Sequence, residues 1–134
     1  MRPTLHDVLL AALVSLLLAP PAVAQLSELA KTTPEQRAGF QTEFMKQNLD
    51  LSPEQLEKIG IINLSMATDA QPILEGDGST FGKAIKLRTL NASRERQLKA
   101  LLSKEQFERY EDAKGELRSA MREHFASNAA SGDP

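Results

Sequence analysis

The stretch Leu51-Ser52-Pro53-Glu54-Gln55-Leu56-Glu57-Lys58 returns, little altered, as Leu102-Ser103-Lys104-Glu105-Gln106-Phe107-Glu108-Arg109. Its residue types answer the needs of a helix beginning. The first backbone N–H groups of a helix lack partners. Serine at the N-cap accepts from the N–H three residues on, and a glutamine there reaches back to the cap. Ser52 with Gln55 and Ser103 with Gln106 have this spacing. Pro53 stands at the first helical position, where its missing N–H costs nothing, and Glu54 and Glu105 face the positive end of the helix dipole. Leu51 with Leu56, and Leu102 with Phe107, form the apolar pair that fixes how the chain enters each helix. Thr33-Pro34-Glu35-Gln36 repeats the cap without that pair, since Thr32 and Arg37 flank it. The motif therefore builds helix corners, each cap contributing about 1 kcal/mol.

Between these corners the apolar residues recur at helical spacing and no segment alternates like a strand. A first helix begins at Pro34, carries Phe40, Phe44 and Met45, and runs out near Asn48-Leu49-Asp50. A second begins after Ser52, with a stripe of Leu56, Ile59, Ile62, Met66, Ala70 and Ile73; Pro72 is expected to kink or end it near its last turn. Glu75-Gly76-Asp77-Gly78-Ser79 reads as a loop. A third helix covers Thr80 to Leu101, with a seam of Ala84, Leu87, Asn91, Arg94, Leu98 and Leu101 whose polar middle predicts weaker core contact. The fourth carries Phe107, Tyr110, Ala113, Leu117, Met121 and Phe125. The expected fold is all-α, about four helices, dimeric, over residues 25–126, with residues 127–134 a disordered tail.

The N-terminus reads as a signal peptide. Val8 to Ala19 is an unbroken apolar run, and Ala22-Val23-Ala24 before Gln25 is a small-x-small cleavage pattern. The run is short for a bilayer span, so residues 1–24 are expected to be removed and the mature chain to be periplasmic and not membrane-spanning. The chain contains no cysteine, which leaves no disulfide or thiol chemistry.

The paired corner motifs, separated by a helical hairpin and preceded by an export signal, resemble the Spy/CpxP family of periplasmic proteins, named for an LTXXQ motif. Leu51, Gln55, Leu102 and Gln106 match it, while Ser52 and Ser103 stand where Thr is usual. The resemblance covers roughly residues 33–123. It implies a curved, four-helix, usually dimeric protein acting as an ATP-independent chaperone, a stress-response modulator or a metal-responsive sensor. Chaperone members hold unfolded clients on a concave surface of mixed apolar and basic character.

Charge and surface pattern bear on that implication. The formal net charge is −2, against general nucleic-acid binding. Between Lys83 and Lys99 six basic residues face Glu95 alone, and between Pro34 and Glu75 seven acids face Arg37, Lys46 and Lys58. Such asymmetry mainly pairs helices within a fold. Ile61 and Leu64 lie behind the stripe of the second helix, so they are expected either to be buried against a dimer partner or to meet a client. Met66, Arg88 and Arg94 join them as candidate client or partner contacts, with flexible Met45 and Met121 suiting an adaptable surface.

Other chemistry has little support. His124 is the sole histidine after the leader and has no second imidazole or thiol to complete a metal site. No Ser/His/Asp constellation can be assembled, and carboxylates such as Glu105, with Arg109 four residues on, sit at salt-bridge spacing. Gly76-Asp77-Gly78-Ser79-Thr80 lacks the strand and the lysine of a phosphate loop, and Asn91-Ala92-Ser93, a formal glycosylation acceptor, sits mid-helix. The expectation is a non-enzymatic protein without cofactor or small-molecule substrate. It is a chaperone or envelope-stress protein, or alternatively a regulatory module docking on a sensor or transporter; metal sensing is the weakest reading.

Overall fold

The computed structural model describes residues 22–132. Five helices follow one another: α1 (Ala22–Ala30), α2 (Pro34–Leu49), α3 (Pro53–Glu75), α4 (Thr80–Leu101) and α5 (Lys104–Ser131). No strand occurs among the described residues, and the fold is all-α. Of the leader expected at residues 1–24, residues 1–21 lie outside the described residues and Ala22, Val23 and Ala24 open α1.

Each corner is built as its residue types require. Thr33, Ser52 and Ser103 are extended N-caps, and each closes a capping box with the glutamine three positions on. The two complete motifs then join to each other. Gln55 Nε2 donates to Gln106 Oε1 at 2.8 Å, and Gln106 Nε2 donates to Gln55 Oε1 at 3.0 Å. Each amide also reaches the helix end that precedes the other motif: Gln106 Nε2 donates to the Leu49 carbonyl, and Gln55 Nε2 to that of Leu101, both at 3.3 Å. Open carbonyls at the ends of α2 and α4 are thus satisfied by the opposite corner. A side-chain amide can accept from its own cap and donate across in this way, whereas an ionised carboxylate has no donor to offer.

Around this joint lies the core. Met45, Leu49, Ile59, Leu98, Leu102 and Tyr110 form one buried cluster, with Leu51, Ile62, Leu101 and Phe107 packed against it. Full burial of each large aliphatic side chain stabilises by roughly 1.5–3 kcal/mol. Asp50, the C-cap of α2, takes the left-handed conformation (φ 49°), which asparagine and aspartate tolerate better than other side chains bearing a Cβ.

From this vertex the helices spread. α2 and α3 form one antiparallel pair, α4 returns along α3, and α5 returns along α2, while α4 and α5 make little contact with each other. α1 crosses the far end and touches α3, α4 and α5. Arg37 locks it there: Nη1 donates to the carbonyls of Leu29 (3.0 Å) and Thr32 (2.6 Å), and Nη2 to the Ala67 carbonyl (3.1 Å) and Gln71 Oε1 (2.7 Å).

Several expectations are corrected. α1 lies ahead of Pro34, where the first helix was expected to begin, so the described residues hold five helices where about four were expected. α3 ends at Glu75 with Pro72 in its last turn, as expected, and the Pro72 carbonyl accepts from the Gly76 N–H. The tail read as disordered from Ser127 is helical to Ser131, its serine hydroxyls bonding back to the carbonyls of Glu123 and Ser127. The seam of α4 is reordered too. Ala84 is exposed, whereas Arg94, in the polar middle expected to pack weakly, is buried.

Candidate functional site

The spreading of α4 from α5 opens a cleft of about 650 Å³. Its floor comes from α3, where two alanines, Ala67 and Ala70, lie between Met66 and Leu74, with Gln41 of α2 beside them. One wall is α4 through Leu87, Arg88, Asn91 and Glu95; the other is α5 through Lys114, Leu117, Arg118 and Met121. Leu29 of α1 and Arg37 close the far end. Alanines on the floor cannot fill the gap, and the polar middle of α4 gains little from closing over it.

At the vertex end the cleft terminates in a buried polar network. Arg94 is 3% exposed and Asn63 0%. Arg94 Nε donates to Asn63 Oδ1 at 2.7 Å, and Nη1 donates to the Tyr110 hydroxyl at 3.0 Å and to Asn91 Oδ1 at 3.3 Å. Asn63 Nδ2 in turn donates to Thr42 Oγ1 at 2.9 Å. The guanidinium also lies over the Tyr110 ring, 5.7 Å from its centroid. Lys114 bridges the walls, 3.6 Å from Glu95 Oε1 on α4 and 2.8 Å from Glu111 on its own helix.

The cleft is positive. Arg37, Arg88, Arg94, Lys114 and Arg118 line it against Glu95 alone. Among the described residues the ion pairs engage other cations than Arg37, Arg88, Arg94 and Arg118. Two buried guanidiniums are therefore held by neutral acceptors, an uncommon arrangement because buried charge is usually paired. Burial draws Arg37 below its ordinary range, opposed by Glu35 and Glu75. Burial also pushes the Tyr110 phenol up, against the pull of Arg94. The hydrogen bond to Glu111 foremost holds Lys114 above its usual range. Gln41 Oε1 is buried without a hydrogen-bond partner at the same cleft.

A second feature lies on the outside of α4. Phe81, Ile85, Arg88, Ala92, Arg96 and Lys99 are all exposed and fall on one side of the helix at 100° per residue. Phe81 is 76% and Ile85 51% exposed. The stripe begins apolar near the Gly76–Ser79 turn and becomes basic toward the vertex.

The residues singled out from sequence divide between these features. Met66, Arg88 and Arg94 come together in the cleft. Arg88 stands exposed at its rim, whereas Arg94 is spent on internal bonds and offers no surface to a client. Ile61 and Leu64 face outward from α3, at 62% and 39% exposure, and Leu64 borders a shallow groove between α2 and α3 with Gly60 and Ala38. Met45 lies in the core and Met121 in the cleft. His124 stacks on Phe40 with ring centroids 4.8 Å apart. Among the described residues no group of three or more His, Cys, Asp or Glu side chains is arranged to hold a metal ion. No helix among them is long and apolar enough to cross a membrane.

Sequence reasoning missed Phe81, Ile85, Asn63 and the whole of α1. Phe81 and Ile85 were legible in principle: spaced i, i+4, they fall opposite Leu87 and Leu98, so α4 carries apolar groups on both sides. Compared with protein-family models, curated proteins and solved structures, the chain matches none.

Proposed function

We propose that this protein is a non-enzymatic periplasmic binding protein, an ATP-independent chaperone or envelope-stress protein that holds exposed segments of unfolded proteins. The observation that carries this reading is the outer stripe of α4, where Phe81 and Ile85 are exposed and followed by Arg88, Arg96 and Lys99. Apolar contact supplies affinity for many sequences, and the basic end draws polypeptides in by long-range attraction. The capped and interlocked corners keep that stripe on a rigid frame. The resemblance to the Spy/CpxP family and the export signal support the same reading. Ile61 and Leu64, exposed on α3, are the surface proposed for a homodimer, since a symmetric contact covers such a patch on both copies.

The test is suppression of light scattering by several unrelated denatured proteins, without ATP and at stoichiometric amounts of the protein. The native protein should suppress scattering for all of them, and Phe81→Ser combined with Ile85→Ser should abolish it while the helical content persists. A protein that protects none of them, yet captures one envelope protein, is a docking module instead. Light-scattering molar mass of Ile61→Lys, set beside that of the native protein, tests the dimer surface.

A further inference from the structure

We propose that the cleft between α4 and α5 is a binding site for a small amphipathic anion, an unbranched hydrocarbon chain ending in one carboxylate or phosphate group. The sequence alone pointed to no small-molecule partner; the cleft does. Its volume of about 650 Å³ lies in the range of small-ligand sites, which are mostly apolar with a few placed polar groups. The apolar floor from Met66 to Leu74 runs roughly 12 Å along α3 at 1.5 Å per residue, the reach of a medium-length hydrocarbon chain. Leu117 and Met121 flank it from α5 and Leu87 from α4.

The headgroup is assigned by charge. Arg88 and Arg118 line the cleft from opposite walls. Neither takes part in an ion pair among the described residues, and the only side-chain hydrogen bond of Arg118 runs from Nε to the Lys114 carbonyl of its own helix. Guanidinium groups bind carboxylate and phosphate oxygens through paired, charge-assisted hydrogen bonds. Buried Arg37 and Arg94, held by neutral acceptors, add positive potential from either end. A neutral chain would leave that potential unanswered, and a headgroup without a chain would leave the half-buried Met66, Leu87 and Met121 of the lining uncovered.

This site is distinct from the apolar end of the outer stripe of α4 and does not rest on the chaperone reading, although Arg88 and Ala92 border both. The experiment is calorimetric titration of the protein, as recovered from expressing cells, with dodecanoate, dodecyl phosphate, dodecanol and acetate, each below its aggregation concentration. Dodecanoate and dodecyl phosphate should each bind saturably at one per chain, with dodecanol and acetate weaker by about tenfold or more. Arg118→Ala should weaken dodecanoate by about tenfold with the thermal midpoint unchanged, because Arg118 is exposed and, among the described residues, makes no ion pair and no side-chain hydrogen bond outside its own helix. Phe81→Ser with Ile85→Ser should leave dodecanoate binding intact. Equal binding of dodecanol or of acetate, an unaffected Arg118→Ala variant, loss of binding in the Phe81/Ile85 variant, or no saturable heat with either anion overturns the proposal. Loss of aggregation suppression alone bears on the chaperone reading and leaves this one standing.

Discussion

Gln55 and Gln106, 51 positions apart, exchange side-chain hydrogen bonds in both directions, each while closing its own capping box. A carboxylate can keep the cap but has no donor for the crossing bond. Gln106→Glu should therefore destabilise the fold by roughly 1–3 kcal/mol at neutral pH, losing its bonds to the carbonyls of Leu49 and Asp50. The double change to glutamates places two like charges together and raises at least one carboxyl pKa. Its folded pKa then exceeds the unfolded one, so the deficit relative to the native protein should shrink as the pH falls through that range. Urea unfolding at about pH 7 and about pH 4 checks both statements.

The bond from Arg94 Nε to Asn63 Oδ1 carries a second expectation. Asn63→Ala takes the acceptor from the buried Arg94 Nε, leaving the charge with fewer bonds, and should cost about 2–3 kcal/mol. Arg94→Met removes the charge at similar length. The double variant should cost less than the two single changes added, by about 1 kcal/mol, because the donor left without an acceptor is then absent. Additive costs in chemical denaturation would show that the two residues do not act together.

Tyr110 is the chain's single tyrosine, so phenolate absorbance reports it alone. Burial raises its pKa, and its folded-state titration should lie above the ordinary value of about 10. The sign follows from proton binding: above the ordinary value the unfolded chain loses the phenolic proton while the folded chain keeps it. Stability should therefore be level near neutrality and fall as the pH rises past about 10, through the folded pKa. Lys114, raised chiefly by its bond to Glu111, acts in the same direction. A thermal midpoint that stays constant across that range would contradict this account.

Ser52→Ala and Ser103→Ala remove the two hydroxyls that accept from the N–H groups of Gln55 and Gln106. Each should cost about 1 kcal/mol, read as a lower thermal midpoint. Client and anion binding by the still-folded variant should persist; unchanged stability with lost binding would make those serines a site.

Helix starts were readable because a cap is a local device, settled within four residues by spacing and hydrogen-bonding capacity. The union of Gln55 with Gln106 was not, since no local rule says that two corners meet. The burial of Arg94 was hidden for a related reason. Its acceptor Asn63 lies on another helix, and a polar residue on a seam looks like weak packing until its partner is known. Ser127-Asn128-Ala129-Ala130 reads as tail by its serine and asparagine, but its alanines carry high helix propensity and the helix is already running when it reaches them. The cleft depends on the divergence of α4 from α5, a relation between whole helices that no motif encodes.

Because each glutamine closes the helix end ahead of the other's corner, the vertex is a lock made of two halves that come from opposite sides of the Gly76–Ser79 turn. A protease nick in that turn would leave one half of the lock on each fragment, with open carbonyls and a bared apolar corner on both. Neither piece has a complete set of partners by itself, and the nicked protein is held together by its most distant joint.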